Sequence, residues 1–186
     1  MCIRDRSRTD TAASMRIDAG QISLVGHSMG GHMAIAGLLD NPLVRCAVSY
    51  DGANMGAGGK GLFADPDMGK VWRDYSNTLF MLNGWSGDKA VAELTQHAGR
   101  LDLVQRAHKL ANRPVLLVAA NTAVIPLDVH IKPLEQALRQ YGGPDGQTPN
   151  TQVEYVLIND DHSFSANRLP LIEKTTEFLD RACREK

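Results

Sequence analysis

The stretch LVGHSMGGHMAIAG, residues 24–37, decides how this chain folds. It continues the apolar run QISLV, residues 21–25, which has the length and the glycine flank of a short buried strand. After the glycines, apolar residues recur with helical spacing as far as Leu39, and Asn41-Pro42 ends the pattern. The sequence therefore predicts a strand, a sharp turn around Ser28 and a helix over 30–39.

Three more strand-like runs follow along the chain: RCAVSY (45–50), VLLVA (115–119) and VEYVLI (153–158). Helical patterns separate them, which predicts an α/β fold with a parallel sheet of about four strands flanked by helices. We expect the strands to lie side by side in chain order, with 21–25 at one edge. VLLVA and the centre of RCAVSY lack alternation, as in a sheet covered on both faces. The long segment 52–112 is predicted to be an inserted helical cap. In this region we expect a glycine-rich loop over 51–61 and a helix over 101–110.

Composition excludes several classes of function. The chain has 186 residues, 43% of them hydrophobic, and a net charge of -1, so nothing indicates a nucleic-acid partner or an anionic membrane surface. No apolar run is long enough for a membrane span, and no HExxH motif indicates a metal site. The three cysteines show no CxxC spacing and are expected to be reduced thiols, in keeping with a cytoplasmic location.

Ser28 stands in a GxSxG motif between a strand and a helix, which is the arrangement of a nucleophile elbow. Such a turn strains the serine backbone and lifts its hydroxyl above the carboxyl edge of the sheet. Gly26 and Gly30 are expected to be needed because side chains there would collide. The Met29 N–H, at the start of the following helix, would form part of an oxyanion hole.

His162 is the candidate general base for Ser28. It lies in DDHSF, residues 160–164, directly after the last predicted strand, and therefore at the same sheet edge as Ser28. His27 is expected to point away, into the core. His97, His108 and His130 are expected to be surface or cap residues, since none follows a strand end.

With these motifs the sequence resembles the α/β-hydrolase superfamily. The resemblance rests on GHSMGG (26–31), PVLLVAANTAVIP (114–126) and DHSFSANR (161–168), and spans most of 14–186. It is closest to serine esterases, some of them lipase-like, and to the hydrolase domains of prolyl-oligopeptidase-like proteins. It implies a partial α/β-hydrolase fold and a Ser-His-acid triad that cleaves esters, or amides, through an acyl-enzyme without a cofactor or metal. The implied partner is a small-molecule ester or acyl substrate.

The triad acid is where the sequence departs from the family, because Thr122 occupies its usual place after VLLVA. Asp51 ends the second strand, where platelet-activating-factor acetylhydrolases and pancreatic-type lipases carry their acid. Asp128 is the alternative, although it also reads as a helix-cap aspartate. Asp160 and Asp161 are too close to His162 in sequence to bridge to it easily. Strand-end geometry favours Asp51.

The N-terminus suggests a fragment. MCIRDRS resembles a translated transposase-end adapter of the kind used in preparing sequencing libraries, so 1–13 is expected to be non-native or disordered, with 14–186 the C-terminal part of a hydrolase domain. The family's second oxyanion donor would then lie upstream, and the isolated chain would be a weak enzyme. Two alternatives stay open: a prolyl-oligopeptidase-like serine peptidase, and a non-catalytic hydrolase-like domain.

Overall fold

The four predicted strands form one parallel sheet in the computed structural model, which describes residues 21–62, 65–122 and 124–184. They are β1 (Ile22–His27), β2 (Val44–Tyr50), β3 (Val115–Ala120) and β4 (Val153–Ile158). Each pairs in parallel with the next, so the predicted order is confirmed. The segment 1–13, predicted to be non-native, lies outside the described residues.

Helices fill the connections between the strands. They are α1 (Met29–Asp40), α2 (Met55–Ala57), α3 (Pro66–Asn77), α4 (Gly87–Gln96), α5 (Ala98–Leu101), α6 (Leu127–His130), α7 (Lys132–Tyr141) and α8 (Arg168–Phe178). Two π-helical turns, Gly58–Leu62 and Leu179–Cys183, and a 3₁₀ turn, Ala107–Leu110, complete the set.

Two local predictions in the insertion are wrong. The glycine-rich segment expected to be a loop carries α2 and a π-helical turn; a Cβ added at Gly56 would lie 2.2 Å from the Asp102 backbone nitrogen, so glycine serves helix packing there. The helix expected over 101–110 is broken, because Asp102 Oδ1 accepts the Val104 N–H at 3.1 Å and turns the chain.

Two apolar layers cover the sheet, one on each face. One face packs α1, α7 and the 3₁₀ turn against alternate strand residues such as Val115 and Leu117. The other packs α8 and the following turn against Leu116 and Val118. All residues of β3 are therefore buried, as the lack of alternation in VLLVA predicts.

β1 lies at one edge of the sheet, and among the described residues it pairs with β2 alone. Its outer side is partly open, with the Val25 side chain 48% exposed. The described part of the chain contains no helix long and apolar enough to cross a membrane.

Cys46 and Cys183 form a disulfide, so the expectation of reduced thiols is wrong for this pair. The bond joins the middle of β2 to the turn after α8, across 137 positions of sequence. The pairing was missed because cysteine spacing carries information about short-range motifs, whereas this bond depends on α8 lying over β2.

Candidate active site

Ser28 sits on the turn between β1 and α1 with φ at 58° and ψ at -122°, a backbone conformation that is rare for a residue with a side chain. Its N–H donates to the Tyr50 carbonyl at 2.9 Å, which holds the turn against the end of β2. A Cβ added at Gly26 would lie 2.0 Å from the Gly30 carbonyl oxygen, so the turn excludes any side chain at that position. The same reasoning is wrong for Gly30, where an added Cβ would meet nothing within 4 Å.

The Met29 N–H lies in the first turn of α1, where backbone donors lack helical acceptors. Helical hydrogen bonding begins with the N–H groups of Gly31 and His32, which both donate to the Ser28 carbonyl. Within the described residues the Met29 N–H has no hydrogen-bond acceptor. It is thus free to donate to an anion beside Ser28, at the positive end of the helix dipole.

His162 lies in the loop that follows β4, and two aspartates shape this loop. Asp160 accepts hydrogen bonds from the backbone N–H groups of Asp161, Ala166 and Asn167. Asp161 accepts those of Ser163 and Ser165. This role was not predicted, although aspartates that precede small polar residues are typical of turns closed by side-chain oxygens.

Asp51 directly follows β2, with its side chain fully buried and φ at 45°, a second strained backbone position at the carboxyl ends of the strands. Its Oδ2 lies 2.6 Å from His162 Nδ1, and its Oδ1 accepts the Ala120 N–H at 3.1 Å. The carboxylate therefore reaches over the end of β3, the strand that Thr122 follows, and meets the histidine loop after β4.

Asp128 is not brought to His162. Its side chain is 84% exposed and pairs with Lys132 Nζ at 2.7 Å, one helical turn along. The interpretation of Asp128 as a helix cap is also wrong, because Pro126 occupies the N-cap of α6. Thr122 Oγ1 accepts the Val124 N–H at 3.3 Å, a contact within its own turn.

Two further histidines are buried near the end of β2. Burial lowers the pKa of His32 to about 4, so the ring is neutral at pH 7. Burial also lowers the pKa of His130, against opposing effects of the Asn54 carbonyl and the Asp51 charge. The prediction of a surface or cap position for His130 is therefore wrong: α6 turns this residue inward, and His130 Nδ1 donates to the Asn54 carbonyl at 3.2 Å.

His27 differs from its expected place in the core. Its ring is exposed and packs on the ring of His162, with centroids 4.6 Å apart and planes inclined by 44°. Its Nε2 lies 2.7 Å from the His162 carbonyl oxygen. Alternation along β1 predicts burial of one face, but at the open edge of the sheet the side chain turns to the neighbouring loop.

Ser28, Asp51 and His162 all lie at the carboxyl ends of the strands. No hydrogen bond joins Ser28 Oγ to His162 in the part of the chain that the structure describes. No group of histidine, cysteine or acidic side chains among those residues could hold a metal ion. The chemistry available here is that of a serine hydroxyl, an imidazole and a buried carboxylate.

Comparison with known proteins adds structural relatives only. No protein-family model matches the chain, and no curated protein matches it. Among solved structures, the acylaminoacyl peptidase of Pyrococcus horikoshii superposes with a TM-score of 0.64 at 18% identity, over 95% of this chain and 26% of the peptidase. A puromycin-hydrolysing peptidase of Mycobacterium tuberculosis gives 0.60 at 16%, over 95% of this chain and 24% of that one. An esterase of Pyrococcus furiosus gives 0.53 at 17%, over 89% of this chain and 55% of the esterase.

The chain has an α/β-hydrolase-like fold. It spans about a quarter of the length of the two peptidases and about half of the esterase. At such identities the likeness establishes the fold alone.

Proposed function

We propose that this chain carries the catalytic residues of a serine hydrolase that cleaves carboxylic esters. Ser28 is the nucleophile, His162 the general base and Asp51 the acid that orients the histidine. The Met29 N–H supplies one donor of the oxyanion hole. The substrate is a small ester or another acyl compound, and no cofactor, metal or nucleic acid takes part.

The proposed reaction has two steps. Ser28 Oγ attacks the substrate carbonyl carbon while His162 Nε2 takes the hydroxyl proton, and the Met29 N–H stabilises the oxyanion. His162 then gives the proton to the departing alcohol, which leaves an acyl-Ser28. A water molecule, deprotonated by His162, attacks the acyl carbon and releases the acid and the free serine.

One observation carries the proposal: a fully buried carboxylate lies 2.6 Å from the Nδ1 of a histidine beside a strained serine turn. Because Asp51 Oδ2 accepts this hydrogen bond, Nδ1 carries the proton and Nε2 is free to act as a base. The vacant acid position at Thr122 is what favoured a non-catalytic domain. The contact of another carboxylate, Asp51, with His162 supports a catalytic domain instead.

Labelling with a fluorophosphonate tests the proposal without knowledge of the substrate. We expect the folded chain to gain one phosphonyl group, on Ser28, in intact-mass and peptide-mass spectra, and Ser28→Ala to gain none. With a single oxyanion donor the rate is expected to be lowered by about 100-fold, so labelling is followed over hours. A folded protein that stays unlabelled, or labels equally in Ser28→Ala, would refute the proposal.

The alternative is a serine peptidase of the prolyl-oligopeptidase type. It draws support from the peptidases among the structural relatives. Hydrolysis of 4-nitrophenyl esters and of aminoacyl 4-nitroanilides, compared at equal enzyme concentration, separates the two reactions. Faster turnover of the anilides, lost in Ser28→Ala, would favour the peptidase.

We also propose that part of the insertion 52–112 shapes the substrate side of the site. Its start lies beside the first turn of α1, the helix that follows Ser28, because the Met55 N–H donates to His32 Nδ1 at 3.4 Å. Its end belongs to the main core, where Leu103, Ala107 and Leu110 pack with α1 and α7. Only the portion before Leu103 is therefore proposed as the cap.

The disulfide bears on the compartment. Disulfides persist in oxidising compartments and are rare in the cytosol. The Cys46–Cys183 bond therefore supports an exported protein over the cytoplasmic location expected from composition. Acid quenching of intact producing cells, followed by alkylation of the denatured protein, tests this, because both residues of a cytoplasmic protein would be alkylated.

A further inference from the structure

His27 is the only described side chain that links the serine turn directly to the histidine loop by a hydrogen bond. It immediately precedes Ser28 in the chain, and its bond reaches the backbone of His162 itself, 135 positions away. We propose that His27 is a positioning residue that holds His162 in reach of Ser28. This inference rests on the proposed function.

The direction of the hydrogen bond is fixed by its chemistry. The His162 carbonyl oxygen can only accept, so His27 Nε2 carries a proton and donates at 2.7 Å. Both the neutral Nε2–H tautomer and the imidazolium form have this proton. The link therefore persists in either charge state of His27.

The sheet by itself fixes the distance between Ser28 and His162 poorly. The serine turn follows β1 and the histidine loop follows β4, and these are the two edge strands. With neighbouring strands about 4.8 Å apart, β1 and β4 are separated by roughly 14 Å, and the loops that follow them must span this distance. Small changes in sheet twist would thus alter the distance between the two loops.

Among the described residues, the other hydrogen bonds of the histidine loop do not reach the serine turn. Asp51 holds the His162 ring at Nδ1, while Asp160 and Asp161 hold the loop to itself. The buried Phe164 anchors the loop on Tyr50 at the end of β2, and the His27 bond and ring contact attach it to the serine turn itself. With Ser28 and His162 not hydrogen-bonded to each other, this contact restrains their separation.

Three substitutions of His27 separate the effect of its hydrogen-bond donor from the effect of its aromatic ring. His27→Phe keeps an aromatic ring but removes the N–H; His27→Gln places an amide N–H near the position of Nε2; His27→Asn carries a donor too short to reach. His108→Phe is the matched control, because His108 is an exposed histidine outside the proposed cap that, like His27, donates to a backbone carbonyl, that of Gln105 at 3.1 Å. The readout is the second-order rate constant for fluorophosphonate labelling of Ser28, with thermal unfolding measured in parallel.

We expect His27→Phe and His27→Asn to label roughly 100-fold more slowly, the cost typical of a displaced catalytic group, and His27→Gln to recover most of the rate. The control should label at the unmodified rate. Because the His27 side chain is exposed, the unfolding midpoints should stay together. Unchanged labelling in the Phe and Asn variants, or an equal loss in all three His27 variants, would overturn the positioning role.

A second measurement separates this inference from the proposed function. Amide hydrogen exchange over 160–167 should speed up in His27→Phe and His27→Asn and return to the unmodified rate in His27→Gln. If the unmodified protein is not labelled at all, the hydrolase proposal fails, yet exchange still reports whether His27 holds the loop. Exchange that is the same in all variants would refute the link.

Discussion

Reduction of the Cys46–Cys183 disulfide should lower the free energy of unfolding by about 5 kcal/mol at 25 °C, from the loop-closure entropy of a long cross-link. The bond spans 137 positions, so it restricts a large part of the unfolded chain. Both cysteines are buried in the layer that also holds Val48 and Phe178. Reduced thiols can keep this packing, and the difference therefore measures the cross-link.

Urea unfolding of Cys2→Ser, with and without a phosphine reductant, measures this difference. The Cys2→Ser background removes the third thiol and with it any disulfide exchange. Native stabilities lie at about 5–15 kcal/mol, so the reduced protein is expected to be marginally folded. With a urea slope of about 2 kcal/mol/M, the midpoint should fall by roughly 2.5 M.

The thiol count is the control for this experiment. Without reductant the denatured Cys2→Ser protein should show no free thiol, and after reduction it should show both. Two free thiols before reduction would mean that the bond is not formed. A midpoint shift below about 0.5 M with the bond intact would refute the entropic reasoning.

Three further outcomes are expected. Asp51→Asn should stay folded but slow fluorophosphonate labelling by roughly 10⁴-fold, because the amide favours the wrong histidine tautomer, while the exposed Asp128→Asn should label normally; equal rates would remove Asp51 from the triad. Gly26→Ala should abolish labelling and lower the unfolding midpoint, since its Cβ would lie 2.0 Å from a carbonyl oxygen, whereas Gly30→Ala should be tolerated; the reverse result would contradict the turn geometry. Because burial lowers the pKa of His32 from 6.5 to about 4, the unfolded chain binds its proton first as pH falls. The free energy of unfolding should therefore fall by about 3 kcal/mol between pH 6.5 and pH 4, and His32→Gln should flatten this pH dependence in urea unfolding; the same pH dependence in His32→Gln would exclude His32 as the cause.

Short-range patterns in the sequence were sufficient for the strands and for two of the candidate site residues. Period and flanking residues located the four strands to within two residues, because a buried strand needs a continuous apolar run. Ser28 and His162 could be proposed because each directly follows a strand. Parallel strands bring all their carboxyl ends to one edge, so position after a strand predicts location in space.

Local patterns failed where packing between helices decided the outcome. The glycines of 56–61 were predicted to lie in a loop, yet they form helical turns. Gly56 has no side chain, so its backbone can approach α5 and Asp102, the residue after α5. His130 read as a surface or cap residue because no strand precedes it, but the orientation of α6 buries it. Neither outcome follows from the order of residues within a few positions.

The sequence by itself determined the parallel sheet, its strand order and the presence of a serine and a histidine at its carboxyl edge, because these depend on periodicity and on the chain direction. Only the tertiary structure decided which carboxylate meets His162, that His27 contacts its carbonyl, and that Cys46 pairs with Cys183. These pairs are separated by 111, 135 and 137 positions. Contacts over such separations depend on side-chain direction, strand register and helix placement together, and no local pattern of residues encodes all three.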